Sequence, residues 1–95
     1  MNENQAQLEM LRAAKARELL DNSVLEEALN CIEKDTVRLW GACPVRDMEG
    51  KESLWRLYKT AQQFRGILME FIHAGEYAES MLKSEKESKI RSLFR

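Results

Sequence analysis

Apolar residues recur along this chain at spacings of three and four, the signature of helices with one covered face. The first such segment, 4–20, carries Leu8, Leu11, Ala14, Leu19 and Leu20 in a background of Ala, Leu, Lys, Arg and Glu that favours helix. Its stripe is thin, so it needs a partner surface to stay folded. Asp21-Asn22-Ser23 interrupts it. Asn22 or Ser23 can cap the next helix, and Ser23 with Glu26 reads as a capping box. The second helix is predicted over 23–40. Leu25, Leu29, Ile32, Thr36 and Leu39 follow one another at alternating steps of four and three, with Ala28 and Trp40 widening the stripe.

Gly41 reads as the stop of that helix. The linker that follows holds the single proline, Pro44, which pushes Cys43 away from helical angles. Asp47 is the predicted N-cap of a third helix, with Glu49 and Glu52 in the first turn where the helix dipole favours negative charge. Its seam is Leu54, Leu57, Ala61, Phe64, Leu68 and Phe71, flanked by Trp55, Tyr58 and Ile72 and interrupted by Gly66. The helix is expected over 47–74, with Gly75 as the residue after its end. The remainder, 76–95, has weaker periodicity: Tyr77, Ala78, Met81 and Leu82, a polar stretch from Lys83 to Lys89, then Ile90, Leu93 and Phe94. The expected fold is all-α: an antiparallel hairpin of the second and third helices, an N-terminal helix (1–20) packed on it, and a C-terminal helical arm, all within one domain, 1–95.

With 95 residues, the chain lies near the lower size limit for a self-sufficient core. Fifteen Lys and Arg against sixteen Asp and Glu give a net charge of −1, which excludes a broadly basic nucleic-acid binder and an acidic disordered tail. The charge is uneven. Residues 1–53 hold seven basic and eleven acidic side chains, whereas 83–95 hold five basic (Lys83, Lys86, Lys89, Arg91 and Arg95) and two acidic. No apolar run approaches the ~18 residues of a membrane span, so no membrane is expected as a partner. The polar start, Met1 to Gln7, does not read as a secretory signal.

Candidate chemistry is sparse. Two cysteines, Cys31 and Cys43, and one histidine, His73, cannot close a four-ligand zinc site without a carboxylate. A reducing compartment is the default, and no disulfide is expected. Cys31, between Leu29 and Ile32, reads as a small buried apolar residue, and nothing beside Cys43 marks an activated thiol. His73 falls near the expected end of the third helix, where a protonated imidazole suits the dipole. Gly50-Lys51-Glu52 lacks the upstream glycine and the Ser or Thr of a phosphate loop. Glu70 and His73 make one Glu-x-x-His, where a di-metal bundle needs two. No catalytic, cofactor-binding or metal residue is expected, no cofactor is called for, and the protein reads as a non-enzyme.

The aromatic stripe points elsewhere. Trp40, Leu54, Trp55, Tyr58, Phe64 and Phe71 read either as core or as interface anchors, since Trp and Tyr dominate interface hot spots. A small helical chain commonly closes its core by self-association, so the two roles can fall on the same residues in different protomers. In the arm, Lys83, Lys86, Lys89 and Arg91 read as a solvated face. Ile90, Leu93 and Phe94 read as an anchor for a partner's groove. Both readings rank ahead of nucleic acid, because five cations with one aromatic do not make a specific nucleic-acid module.

One pattern is familiar. It runs from Ala16-Arg17-Glu18-Leu19-Leu20 through Leu25-Glu26-Glu27-Ala28-Leu29 and Trp40 to Asp47-Met48-Glu49-Gly50-Lys51-Glu52-Ser53-Leu54, then Phe64-Arg65-Gly66-Ile67-Leu68 and Gly75. It resembles short helical proteins encoded by tailed bacteriophages near head and packaging genes, and spans residues 16–80. The resemblance implies a setting, the virion or the host cytoplasm, and assigns no active residue. The function expected from residues and resemblance together is protein–protein interaction in virion assembly. The expected partner is a second copy of the chain, forming a homo-oligomer, or another phage or host protein. Two alternatives stand beside it: a small inhibitor that occludes a host protein, and a DNA-binding packaging component that uses the basic arm.

Overall fold

The computed structural model describes residues 1–94; Arg95, counted above in the basic arm, lies outside the described residues. Three helices follow in order: α1 (Glu3–Leu20), α2 (Ser23–Ala42) and α3 (Met48–Leu93). The all-α expectation holds, with α3 packed against both other helices. Two compact units divide the chain, one of Met1–Glu18 with Leu68–Arg95, the other of Leu19–Ile67. Helix α3 contributes to both.

Each helix start is held by a side chain. At α1, Asn2 Oδ1 accepts from the Gln5 N–H at 2.8 Å while Gln5 Oε1 accepts from the Asn2 N–H at 3.2 Å. This reciprocal box sets the start one residue earlier than expected. At α2, Asn22 Oδ1 accepts from the N–H groups of Val24 and Leu25, both at 3.0 Å. Asn22 is therefore the cap. The box expected from Ser23 does not form, because Glu26 turns away to Arg65. At α3, Asp47 Oδ1 accepts from the Gly50 N–H at 3.0 Å, as the sequence predicts. Helix α2 runs through Gly41 to Ala42 and ends at Cys43, whose extended backbone (φ −71°, ψ 133°) is what a following proline imposes.

The largest correction concerns Gly75. Helix α3 does not stop there but continues for 46 residues in all, and no glycine among the described residues adopts positive φ. Gly75 is a packing residue: a β-carbon on it would overlap the Ala13 β-carbon and lie 3.0 Å from the Glu9 carbonyl oxygen. The arm from 76 onward is thus the second half of α3. His73 lies in mid-helix, about five turns before the end of α3, so the dipole reading of His73 falls.

In the first unit, α1 runs antiparallel to the C-terminal half of α3. Arg12 stacks over Phe71 (4.2 Å), Ala13 meets Gly75, and Glu3, Gln7 and Met10 line one groove with Lys83, Lys86 and Lys89. The buried side chains of α1 are Ala6, Ala13 and Ala16. Of the expected stripe, Leu8, Leu11, Ala14 and Leu19 are exposed and Leu20 is half-buried. The inversion has a steric cause: a pair that closes on alanine and glycine brings its backbones together, and leucines at that seam would hold them apart.

In the second unit, α2 runs antiparallel to the N-terminal half of α3, with Trp40 beside Lys51 and Glu26, Asn30 and Glu33 around Arg65. Leu29, Thr36 and Ala61 are buried, and Leu25, Leu54 and Tyr58 half-buried. Ile32, Leu39, Leu57 and Phe64, all expected on the seam, are exposed. Cys31 is exposed as well, against the buried reading. Two residues past buried Leu29, it sits about 200° round the helix from the contact line. Among the described residues eight apolar ones make up the buried core, and five of them are alanine. No aromatic side chain is among them, so the core is thin.

Candidate interaction surfaces

Arg65 sets the register of the α2–α3 pair. Its Nε donates to Glu33 Oε1 at 2.9 Å, one terminal nitrogen to Glu26 Oε2 at 2.6 Å and the other to Asn30 Oδ1 at 3.1 Å. Hydrogen bonding to Glu33, and then to Glu26, raises the guanidinium pKa above its ordinary value. The Arg65 side chain is 23% exposed and that of Glu33 22%, so this is a partly desolvated, forked ion pair of the kind arginine geometry suits.

On the flank of the pair that Arg65 occupies, Thr36, Val37 and Trp40 of α2 and Leu54, Trp55 and Tyr58 of α3 line an open groove of about 280 Å³. Lys51 Nζ sits 4.1 Å from the Trp40 ring centroid and donates to the Trp40 carbonyl oxygen at 3.1 Å. Lys59 Nζ lies 5.6 Å from the Trp55 ring centroid. Four of the six expected interface residues, Trp40, Leu54, Trp55 and Tyr58, therefore come together. Phe64 lies outside the groove, and Phe71 belongs to the other unit beneath Arg12.

The opposite flank carries a second surface. Ile32 and Phe64 each precede a member of the Glu33–Arg65 pair by one residue. In antiparallel helices one step back on both turns the two side chains to the same side of the pair. Leu39 and Leu57 follow seven residues away in each helix, and Ile67 lies beside Phe64. These five residues are 40–50% exposed; one charged side chain, Asp35, stands beside the row between Ile32 and Leu39 and pairs with Arg38 at 3.8 Å. Of the five, the sequence reading placed only Phe64 at an interface. The missed signal was the seven-residue repeat itself: Leu25, Ile32 and Leu39 on α2, and Leu57 and Phe64 on α3. The chain as a whole exposes 7733 Å², against about 5,700 Å² for a folded monomer of 11.1 kDa.

The arm leaves Ile90, Leu93 and Phe94 exposed. Lys83 pairs with Glu79 at 3.8 Å, Lys86 and Lys89 line the groove beside the start of α1, and Arg91 lies in the last turn of α3. At the interhelix turn, Cys43 Sγ lies 3.4 Å from Asp47 Oδ2. The Cys43 pKa is raised, first by desolvation and then by the hydrogen bond to Asp47. That of Asp47 is lowered, first by the Gly50 N–H and then by Cys43. Among the described residues no three His, Cys, Asp or Glu side chains group so as to hold a metal ion. No helix among the described residues is long and apolar enough to cross a membrane.

The chain matches no family model, no curated protein and no solved structure.

Proposed function

We propose that this protein is a non-enzymatic interaction protein that works by helical self-association, in the setting of virion assembly that its resemblance to phage proteins implies. The observation that carries the reading is the uncovered apolar surface. Ile32, Leu39, Trp40, Trp55, Leu57 and Phe64 are all exposed, and no aromatic residue enters the described core, which is built largely of alanine; the chain's total surface, polar and apolar together, is about 2,000 Å² above that expected for its mass. Apolar side chains left in water at helical spacing gain about 25 cal/mol for each Å² that a partner covers. Light scattering across protein concentration tests the reading: a defined dimer or larger closed assembly supports it, and a monomer at all concentrations overturns it.

The groove of Val37, Trp40, Trp55 and Tyr58 favours a second reading, a module that occludes a host protein by seating one of its side chains between two tryptophans. Large aromatics around an open groove are the composition of an interface hot spot. A stoichiometric host protein retained from extract, and released by Trp55→Ala, would support this reading over assembly. Nucleic acid is less favoured as the partner, since Lys83 is paired with Glu79 and the cations after it alternate with Glu85 and Glu87.

A further inference from the structure

We infer that the face of Ile32, Leu39, Leu57, Phe64 and Ile67 is covered by the same face of a second copy, so that two α2–α3 pairs form a four-helix layer across a twofold axis. The inference rests on the self-association reading and says which surface performs it.

Spacing is the first argument. Each helix of the pair carries two adjoining seams. On α2 the inner one runs through Leu29, Glu33, Thr36 and Trp40, the outer through Leu25, Ile32 and Leu39. On α3 the inner seam runs through Leu54, Tyr58, Ala61 and Arg65, the outer through Leu57, Phe64 and Ile67. The inner seams meet each other within the chain, as the Arg65 contacts show. A helix with two seams is built for two helical neighbours, which is the situation inside a four-helix bundle. Rotation about an axis parallel to the helices would lay α2 antiparallel on the partner's α3. The seven-residue row of one would then meet the seven-residue row of the other at matching heights. A second copy thus supplies the required spacing.

Area is the second argument. A stable interface takes about 800 Å² from each partner, and the chain exposes 7733 Å², about 2,000 Å² beyond the monomer expectation. One such contact fits within that excess. Chemistry is the third. The five side chains are apolar, and Asp35, which stands between Ile32 and Leu39, would meet the uncharged stretch from Thr60 to Gln63 on the second copy's α3, so a face meeting its own copy brings no like charges together, and isologous contact requires such self-complementarity.

The experiment is light scattering with far-ultraviolet circular dichroism on the full chain and four variants. Phe64→Glu is expected to weaken dimerisation at least 100-fold while helicity is kept, because Phe64 is exposed within one chain. The milder pair Leu39→Ser with Leu57→Ser serves if the charged variant loses helicity, and is expected to shift the population to monomer. Trp55→Glu, in the groove on the other flank, is expected to leave the dimer intact. A dimer that survives Phe64→Glu or the serine pair but is lost with Trp55→Glu would overturn the assigned face and leave self-association standing. Loss of the dimer on Leu93→Ser with Phe94→Ser would overturn it too, by making the arm of another copy the occupant. A wild-type chain that is monomeric throughout would overturn both the face and the reading beneath it.

Discussion

Gly75 of α3 lies against Ala13 of α1 so closely that a β-carbon on Gly75 would overlap the Ala13 β-carbon. The contact explains why a glycine persists inside a long helix at the usual loss in helix propensity. It also explains why α1 buries its alanines and turns its leucines outward. The Glu9 carbonyl oxygen stands 3.0 Å from the same point, so the strain of a larger residue would fall on the backbone of α1.

Glycine-to-alanine substitutions should therefore separate by site. Gly41→Ala and Gly66→Ala meet nothing within 4 Å, and each should stabilise by up to about 1 kcal/mol through helix propensity. Gly75→Ala has the same propensity gain but should be net destabilising by about 1–3 kcal/mol through overpacking. Urea unfolding of the three variants would check this. Stabilisation by Gly75→Ala would mean that the close approach of α1 is wrong.

Arg65 should tolerate no substitute. Arg65→Lys keeps the charge but cannot serve Glu26, Asn30 and Glu33 at once. Arg65→Ala leaves the part-buried Glu33 without its partner and should destabilise by about 1–3 kcal/mol. Arg56 pairs with Glu52 in the open, both side chains more than 60% exposed, so Arg56→Ala should change stability by less than about 1 kcal/mol. Paired denaturation curves would decide, and equal effects at the two sites would contradict a register-setting role for Arg65.

The cap of α3 should make part of the stability acid-sensitive. The Asp47 pKa is lowered in the folded chain, first by the Gly50 N–H and then by Cys43. Its contribution is therefore present above the unfolded pKa and is lost as pH falls through the folded value. Asp47→Asn retains an acceptor for the Gly50 N–H but cannot titrate, so it should flatten stability below about pH 4. Thermal melts between pH 2.5 and pH 7 would show it. An unchanged acid limb in the variant would exclude Asp47 as its source.

The two thiols should react at different rates. Cys31 is exposed on α2. Cys43 is half-buried, and its pKa is raised by desolvation and by Asp47, which lowers the thiolate fraction that attacks. Alkylation near neutral pH followed by peptide mass analysis should find Cys31 modified first. Asp47→Asn should speed Cys43, because it removes the neighbouring negative charge.

Local signals determined much of this protein. The three-and-four periodicity, the Asn22 break, the Pro44 turn and the Asp47 cap are short-range effects, each written within a few residues, and they sufficed for an all-α hairpin preceded by a further helix. The aromatic groove was legible in outline too, since Trp40, Leu54, Trp55 and Tyr58 stood out by type and spacing. Tertiary structure decided which part of each apolar stripe meets a neighbour. A stripe as wide as that of α2 or α3 offers two seams, and the sequence pattern does not rank them. The reach of Arg65 to Glu33 and Glu26 selects one seam and leaves Ile32, Leu39, Leu57 and Phe64 outside. Gly75 was misread for the same reason. As a local signal, a glycine after His73-Ala74 marks a helix end, and only the approach of Ala13 from α1, distant in sequence, makes it a contact point within one continuous helix.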